Sequence, residues 1–416
     1  VIPYTINEFP FWSFLYADLH AHLIDLPIAV FLIGCCASLV ASAKADGRAW
    51  RPALPTLAAV ALALGAAWCT STWDLPTYGL LVAVALALRL LPFGEPERWT
   101  RLRGIVSPRL VRGYVLALLV TFGATYALYF PFHADFQSFV SGTGPVTTPT
   151  DPNQFLTLFG LWLFLVVSFF VVELRDRWER RVVEQRLAEQ EESGPEESGP
   201  EAAGRRLWIL LLVSGVVLLL AYLAGVKLLL IVLLAVGIVL ALESRHSPLK
   251  LMTYALVLLG LAIALAVEFI YVRDFLDGSQ WERMNTVFKF YYQAWTLLAL
   301  GGALIFAQLI GRALAVRAPG TASASADGPA DATAAATWRL EAPERSANAL
   351  RGLWLVALVA LVLGSCIFVV EGTQARLQDP AEWAQVQPPP GGLQPTTLSL
   401  DGMAFMRGWY PGDYAA

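Results

Sequence analysis

The chain has 416 residues, of which 57% are hydrophobic and 15% charged, and a formal net charge of −4. A soluble globular domain carries about 25% charged residues, so the composition excludes an ordinary soluble fold and points to an all-α, polytopic transmembrane helical bundle. The charge balance names no partner. No Walker loop, Rossmann fingerprint, Ser-His-Asp order or paired-cysteine motif occurs, so nucleotide-driven transport and nucleic-acid binding have no support.

The chain opens on Val1 rather than methionine, and residues 1–22 lack a basic stretch followed by an apolar core, so they are not a signal peptide. The chain stops just after Tyr410-Pro411-Gly412-Asp413-Tyr414, which resembles the entry to another element. We read it as a fragment, with sequence missing at both ends.

Residues 1–22 form a polar motif segment, and residues 23–371 form the transmembrane core. Spanning helices of roughly 20 apolar residues are expected at 23–43, 53–71, 75–93, 111–131, 155–174, 207–224, 228–242, 251–272, 291–312 and 353–371. The run from 207 to 242 is too long for one span, and Gly225 and Lys227 offer a tight turn that divides it. About ten spans result, followed by a C-terminal segment, 372–416. Cys35, Cys36, Cys69 and Cys366 all lie in apolar runs without metal-ligand or disulfide spacing and read as packing residues.

Lys and Arg crowd alternate connections, at 44–51, 89–112, 175–206, 245–250 and 312–351. Positive loops stay cytoplasmic. The other connections, and both ends of this chain, are therefore expected on the extracytoplasmic side of the plasma membrane. Residues 183–204, with the near-repeat Glu-Glu-Ser-Gly-Pro, and 318–345, rich in Ala, Ser, Gly and Asp, read as disordered cytoplasmic loops. The stretch from Arg175 begins as a charged helical extension.

The outer connections hold the chemically suggestive clusters. The first runs from Asn7 to His22. If it is helical from Ser13 onward, Asp18, His22 and Asp25 share one face. Carboxylate and imidazole together can act as acid and base or hold a divalent metal, with Asp18 and His22 as the candidate ligands. Glu8 and Asp18 are the carboxylates of this cluster; the alternative reading is a polar interfacial segment anchored by Trp12 and Tyr16. The second cluster surrounds Trp73-Asp74-Leu75-Pro76. Asp74 is a third candidate carboxylate, although capping of the next helix also accounts for it. The third, His133-Ala134-Asp135, opens a long loop free of Lys and Arg. The fourth runs from Arg273 to Gln293 and reads from Trp281 as an amphipathic helix, with Trp281, Met284, Val287, Phe288 and Tyr291 on its apolar side. Arg283 and Lys289 on such an element can hold a lipid phosphate or pyrophosphate. Attraction of a juxtamembrane helix to anionic lipid explains it equally.

Glu8-Phe9-Pro10, Asp18-Leu19-His20-Ala21-His22, Trp73-Asp74-Leu75-Pro76-Thr77-Tyr78, Glu282-Arg283-Met284-Asn285-Thr286-Val287-Phe288-Lys289 and Leu400-Asp401-Gly402 resemble the YYY membrane protein family, a large group of unknown function. Its namesake Tyr-Tyr-Tyr-x-Gly motif does not occur here and is expected upstream of Val1; Tyr291-Tyr292 is not that motif. The family looks like a distant relative of the C-type glycosyltransferases, polytopic enzymes that take sugars from lipid-phosphate donors on the extracytoplasmic face. Their essential acidic motif usually sits in the first outer loop, which is also expected upstream.

The resemblance implies a sugar transferred from a polyprenyl-phosphate donor. Glu8, Asp18 and Asp74 would be the catalytic carboxylates. His20, His22, His133, Asp135, Arg283, Asn285, Lys289, Trp12 and Trp281 would bind phosphate or substrate. The alternatives are a transporter or lipid flippase, which would use the same clusters as a gate, and a non-catalytic scaffold for envelope assembly. Ionisable residues in the spans are few and lie near outer ends, as Asp25 and Glu268 do. That favours surface chemistry over a path through the bilayer.

Overall fold

A computed structural model describes residues 2–16, 19–45, 53–90, 108–138, 140–190, 200–243, 248–315 and 344–378. Along the chain these form α1 (Pro10–Leu15), α2 (Ala21–Ala45), α3 (Leu54–Thr70), α4 (Asp74–Leu90), α5 (Pro108–Leu128), α6 (Phe130–Asp135), β1 (Gly142–Pro145), α7 (Pro152–Gln190), α8 (Pro200–Leu223), α9 (Val226–Glu243), α10 (Pro248–Phe269), β2 (Ile270–Arg273), α11 (Met284–Ala315) and α12 (Glu344–Gln378).

Proline opens α1, α5, α7, α8 and α10. Its fixed φ suits a first turn, and its missing N–H would have no helical partner there. Asp151 completes one such start, accepting hydrogen bonds from the N–H groups of Asn153 (2.8 Å) and Gln154 (3.3 Å). Between α8 and α9 the turn falls on Gly225, whose φ of +106° an L side chain rarely adopts, as the sequence leads one to expect.

Helices occupy each of the ten apolar stretches. Among the described residues, six helices are long and apolar enough to cross a membrane: Ala21–Ala43, Leu110–Leu128, Pro152–Val182, Pro248–Phe269, Met284–Arg312 and Leu350–Leu377. Leu54–Thr70, Leu212–Leu223 and Val226–Leu242 are shorter apolar helices. Large apolar side chains such as Leu119, Leu220, Leu223, Val356 and Leu363 face outward. A bundle with so much exposed hydrocarbon has lipid as its solvent.

Two apolar cores share α10 and α11. One joins them to α7 and α9 through Phe159, Phe169, Leu230, Leu261 and Leu298. The other joins them to α2, α3 and α4 through Leu32, Cys36, Leu64, Leu81, Leu256 and Leu297. The α10–α11 contact needs glycine. A Cβ on Gly260 would lie 2.9 Å from Leu298 Cγ, and one on Gly301 2.8 Å from Val257 Cγ2. Small residues that let backbones approach are the usual device of membrane helix pairs.

Polar side chains cluster at the two ends of this bundle. At one end Glu173 of α7 accepts from Lys250 Nζ of α10 (2.7 Å) and Arg312 Nη2 of α11 (2.9 Å), while Arg312 Nη1 donates to Asp176 (2.9 Å). Arg89, fully buried at the end of α4, donates to the Leu39 carbonyl and to Ser42 Oγ of α2, both at 3.0 Å. At 1.5 Å per residue, Arg312 lies about 35 Å along α11 from Lys289, and Lys250 about 27 Å along α10 from Glu268. Those separations match a hydrocarbon layer of about 30 Å.

Several expectations need correction. The first segment is not one helix from Ser13. α1 ends at Leu15, Leu19 and His20 belong to no helix, and α2 begins at Ala21; Asp18, expected on one face with His22 and Asp25, lies outside the described residues. No helix starts at Trp281, which lies in a turn. α11 starts at Met284 and runs unbroken through the span, so the amphipathic stretch is its first two turns. Cys366 is exposed on α12 rather than packed within the chain. The charged extension after Arg175 is helical to Gln190. Residues 191–199, which hold all of the Glu-Glu-Ser-Gly-Pro near-repeat but its last proline, most of 318–345 and Leu400-Asp401-Gly402 lie outside the described residues.

Candidate functional site

Four elements meet at the end of the bundle opposite Glu173. Glu8 stands just before α1, His22 and Asp25 in the first turns of α2, Asp74 at the first residue of α4, and Lys289 and Gln293 in the first three turns of α11. Glu8 is 5% exposed. Its Oε2 accepts from Ser13 Oγ at 2.9 Å and from His22 Nε2 at 3.2 Å. On the other side of the imidazole, Lys289 Nζ lies 3.2 Å from Nδ1. An ammonium has no lone pair, so Nδ1 accepts and the ring proton sits on Nε2, facing Glu8. The His22 ring is held edge-on by Phe288 (4.7 Å) and Tyr292 (4.5 Å). Lys289 also lies over the Phe288 ring at 3.9 Å. The result is a line, Ser13–Glu8–His22–Lys289, rigid at its carboxylate end and half-buried at its cation. His20, exposed, stacks on His22 at 5.7 Å.

Beside this line, Gln293 ties α11 to α4. Its Nε2 donates to Asp74 Oδ1 and to the Trp73 carbonyl (3.1 Å), and its Oε1 accepts from Thr77 Oγ1. Asp74, 2% exposed, is thus held by a tertiary contact and does more than open a helix. Asp25, one turn after His22, interacts with it directly.

Arg283 and Asn285 hold the surrounding loops. Arg283 Nη2 donates to Glu268 Oε1 (2.8 Å), the Val267 carbonyl (2.9 Å) and Thr150 Oγ1 (3.4 Å), and Nη1 donates to the Thr148 carbonyl (2.7 Å). Glu268 also accepts from the Tyr291 hydroxyl (2.9 Å) and the Thr150 N–H (2.9 Å). Asn285 Nδ2 donates to Asp274 Oδ2 at 2.7 Å. Antiparallel pairing of β1 with β2, in the register Gly142↔Arg273, fastens the loop after α6 to the same region. There Tyr271 donates to Asp277 Oδ1 at 2.6 Å, a hydrogen bond that pushes its phenol up to about 12.

The remaining sequence candidates lie apart. The His133 ring sits 4.1 Å from Trp68 and stacks on Tyr126 at 4.7 Å, between α3 and α5; its described ring partners include none of the residues around His22. Asp135 is exposed at the end of α6. Trp12 stacks on Tyr16 at 4.8 Å, and Trp281 meets Tyr4 edge-on at 5.6 Å. Asp18 lies outside the described residues. Among those described, no three His, Cys, Asp or Glu side chains are grouped to hold a metal ion. Ser13, Thr77, Tyr292 and Gln293 escaped the sequence reading. Gln293 carried a signal, as a polar residue one helical turn beyond Lys289 inside an apolar run.

The family described as Uncharacterized membrane protein (DUF2298) matches residues 1–298. The chain belongs to this family. The DUF2298 match spans every residue of the cluster, from Glu8 to Gln293, and stops within α11, before α12. No curated protein and no solved structure matches the chain.

Proposed function

We propose that this membrane protein is the core of a glycosyltransferase-like enzyme, with about ten spans and a C-type architecture, that moves a sugar from a polyprenyl-phosphate donor on the extracytoplasmic face. One observation carries the reading. A carboxylate, an imidazole and an ammonium stand in hydrogen-bonded order across three helix starts at one end of the bundle. Alternating loop charge makes that end the outer one.

In the proposed reaction an acceptor hydroxyl attacks the anomeric carbon of the sugar. The carbon–oxygen bond to phosphate breaks, and the polyprenyl phosphate leaves. Lys289, with His20 exposed beside it, meets the charge on the departing phosphate. A carboxylate, Glu8 or Asp18, takes the hydroxyl proton. Glu8 also fixes the His22 ring, and His22 in turn fixes Lys289. Arg283 and Asn285 act as positioning residues, because their hydrogen bonds go to Glu268, Thr148, Val267 and Asp274. Asp74 braces α4 against α11. Trp12 and Trp281 lie at the interface, where aromatic faces suit a sugar or headgroups. Both His22 nitrogens are taken, Nε2 by Glu8 and Nδ1 by Lys289, so a divalent metal at Asp18 and His22 does not fit this arrangement and forms no part of the proposal. The ionisable side chains sit within the first turns of their helices rather than at midplane, which supports surface chemistry over transport.

The test is reconstitution of the full-length protein in liposomes with a panel of polyprenyl-phosphate sugars. Transfer of sugar to an acceptor supports the reading. Substrate flux without transfer across the panel replaces it with a transporter, and neither activity points to a scaffold.

A further inference from the structure

A groove of about 480 Å³ lies between α3 and α5, open on the flank of the bundle. It is lined by Ala58, Ala61 and Leu62 of α3 and by Ala124, Ala127 and Leu128 of α5, and its walls are almost wholly apolar. Leu62 and Leu128 are half exposed, and Leu119 and Val120 of α5 also face outward. The mouth therefore opens onto the surface that lipid covers. An aromatic lip stands at the outer end. Tyr129 lies across Gly65, where a Cβ would collide with its ring, and its hydroxyl donates to the Leu62 carbonyl at 2.9 Å. Beyond it the rings of Trp68, Tyr126 and His133 pack together. His133 Nε2 is buried and has no hydrogen-bond partner among the described residues.

At 1.5 Å per residue, Leu62 and Ala58 lie about 9 and 15 Å along α3 from Trp68. The groove thus falls within one leaflet of a hydrocarbon layer of about 30 Å, with the lip at its outer edge. What fills it comes from the bilayer. A void there forfeits the dispersion contacts of its lining, and a flexible hydrocarbon chain restores them. The headgroup of such a chain stands at the lip, where a buried imidazole nitrogen needs a partner. Charge selects the headgroup. Residues 131–154 carry Asp135 and Asp151 and neither Lys nor Arg, so this lip repels an anionic lipid. We propose that the groove between α3 and α5 holds an acyl chain of a zwitterionic glycerolipid of the outer leaflet, with a phosphate or ester oxygen of that lipid on His133 Nε2. The site uses none of the Glu8–His22–Lys289 group and stands whether or not sugar is transferred.

The experiment counts the lipids that stay on the full chain. Protein in mild detergent is stripped by repeated detergent exchange and offered equal amounts of phosphatidylcholine and phosphatidylglycerol. Native mass spectrometry then reads the bound species. The double variant Ala58→Phe/Ala127→Phe fills the groove from its mouth; both positions are exposed, so the new rings displace lipid rather than core. His133→Phe keeps the ring packing and removes the nitrogen. Leu119→Phe, on the lipid face outside the groove, is the control. The wild type and Leu119→Phe should each keep one phosphatidylcholine more per chain than the groove-filled variant. His133→Phe, with the groove intact, should bind phosphatidylcholine more weakly by about threefold or more. Equal retention by the groove-filled variant overturns the proposal. So does a preference for phosphatidylglycerol, unchanged affinity in His133→Phe, or a wild type that keeps no lipid after exchange.

Discussion

Lys289 Nζ lies 3.2 Å from His22 Nδ1, although 267 positions separate the two residues in the chain. The contact joins the first turn of α2 to the second turn of α11. It brings the first and fourth sequence clusters into one group, and Gln293 adds the second through Asp74. The third, at His133, stays with Trp68 and Tyr126.

The side on which this group faces can be measured. With the native cysteines replaced by serine, single cysteines at His20, Asp135 and Phe275, all exposed, should react with an impermeant thiol reagent in intact cells. A cysteine at Arg180, exposed on the far extension of α7, should react only after permeabilisation. The reverse pattern would turn the topology over.

Arg283 should act on stability. Its side chain is 8% exposed and that of Glu268 is fully buried. Removing one partner of such a pair leaves an uncompensated buried charge, which costs about 3–5 kcal/mol. Arg283→Met and Glu268→Met should each lower the unfolding midpoint in detergent markedly, and the double variant should lose less than the sum of the two. Additive losses would show that the pair is not coupled.

The sequence was most legible where one physical rule dominates. Each of the ten apolar stretches is helical, the form in which a backbone satisfies its own polar groups, and six of the described helices are long and apolar enough to cross a membrane; Gly225 marked its turn because few residues accept its φ. Strand β1, Gly-Thr-Gly-Pro, was not legible. Four residues without alternation carry no strand signal, and its pairing with β2 depends on where α10 ends. The break between Leu15 and Ala21 and the start of α11 at Met284 are boundary effects that periodicity does not resolve. His22, Lys289 and Asp74 were legible as candidates, since ionisable groups at membrane helix ends are costly. The destination of Arg283 was not, because Glu268, Thr148 and Thr150 reach it only through the tertiary fold. The Glu173–Lys250–Arg312 group was hidden for the same reason; its cations read as ordinary loop charge.

The approach of α10 to α11 gives a third expectation. A side chain on Gly260 meets Leu298 Cγ at 2.9 Å and the Ala294 carbonyl at 3.3 Å. Backbone cannot move aside as a flexible side chain can, so Gly260→Val should destabilise the protein by about 1–3 kcal/mol. Because this pair carries Glu268 and Lys289 at one end, the variant should also lose activity beyond its loss of folded protein. A neutral Gly260→Val would mean that the helices are less closely packed than described.

The most direct measurement is turnover by Lys289→Met in sugar transfer from a polyprenyl-phosphate donor, using full-length protein in liposomes. Methionine keeps the length and the contact with Phe288 but removes the charge that His22 positions. A group that meets charge developing on the departing phosphate acts in the transition state. The account therefore predicts a fall in kcat of about 10²-fold or more, with the protein still inserted and folded. Transfer by Lys289→Met at the wild-type rate would contradict it.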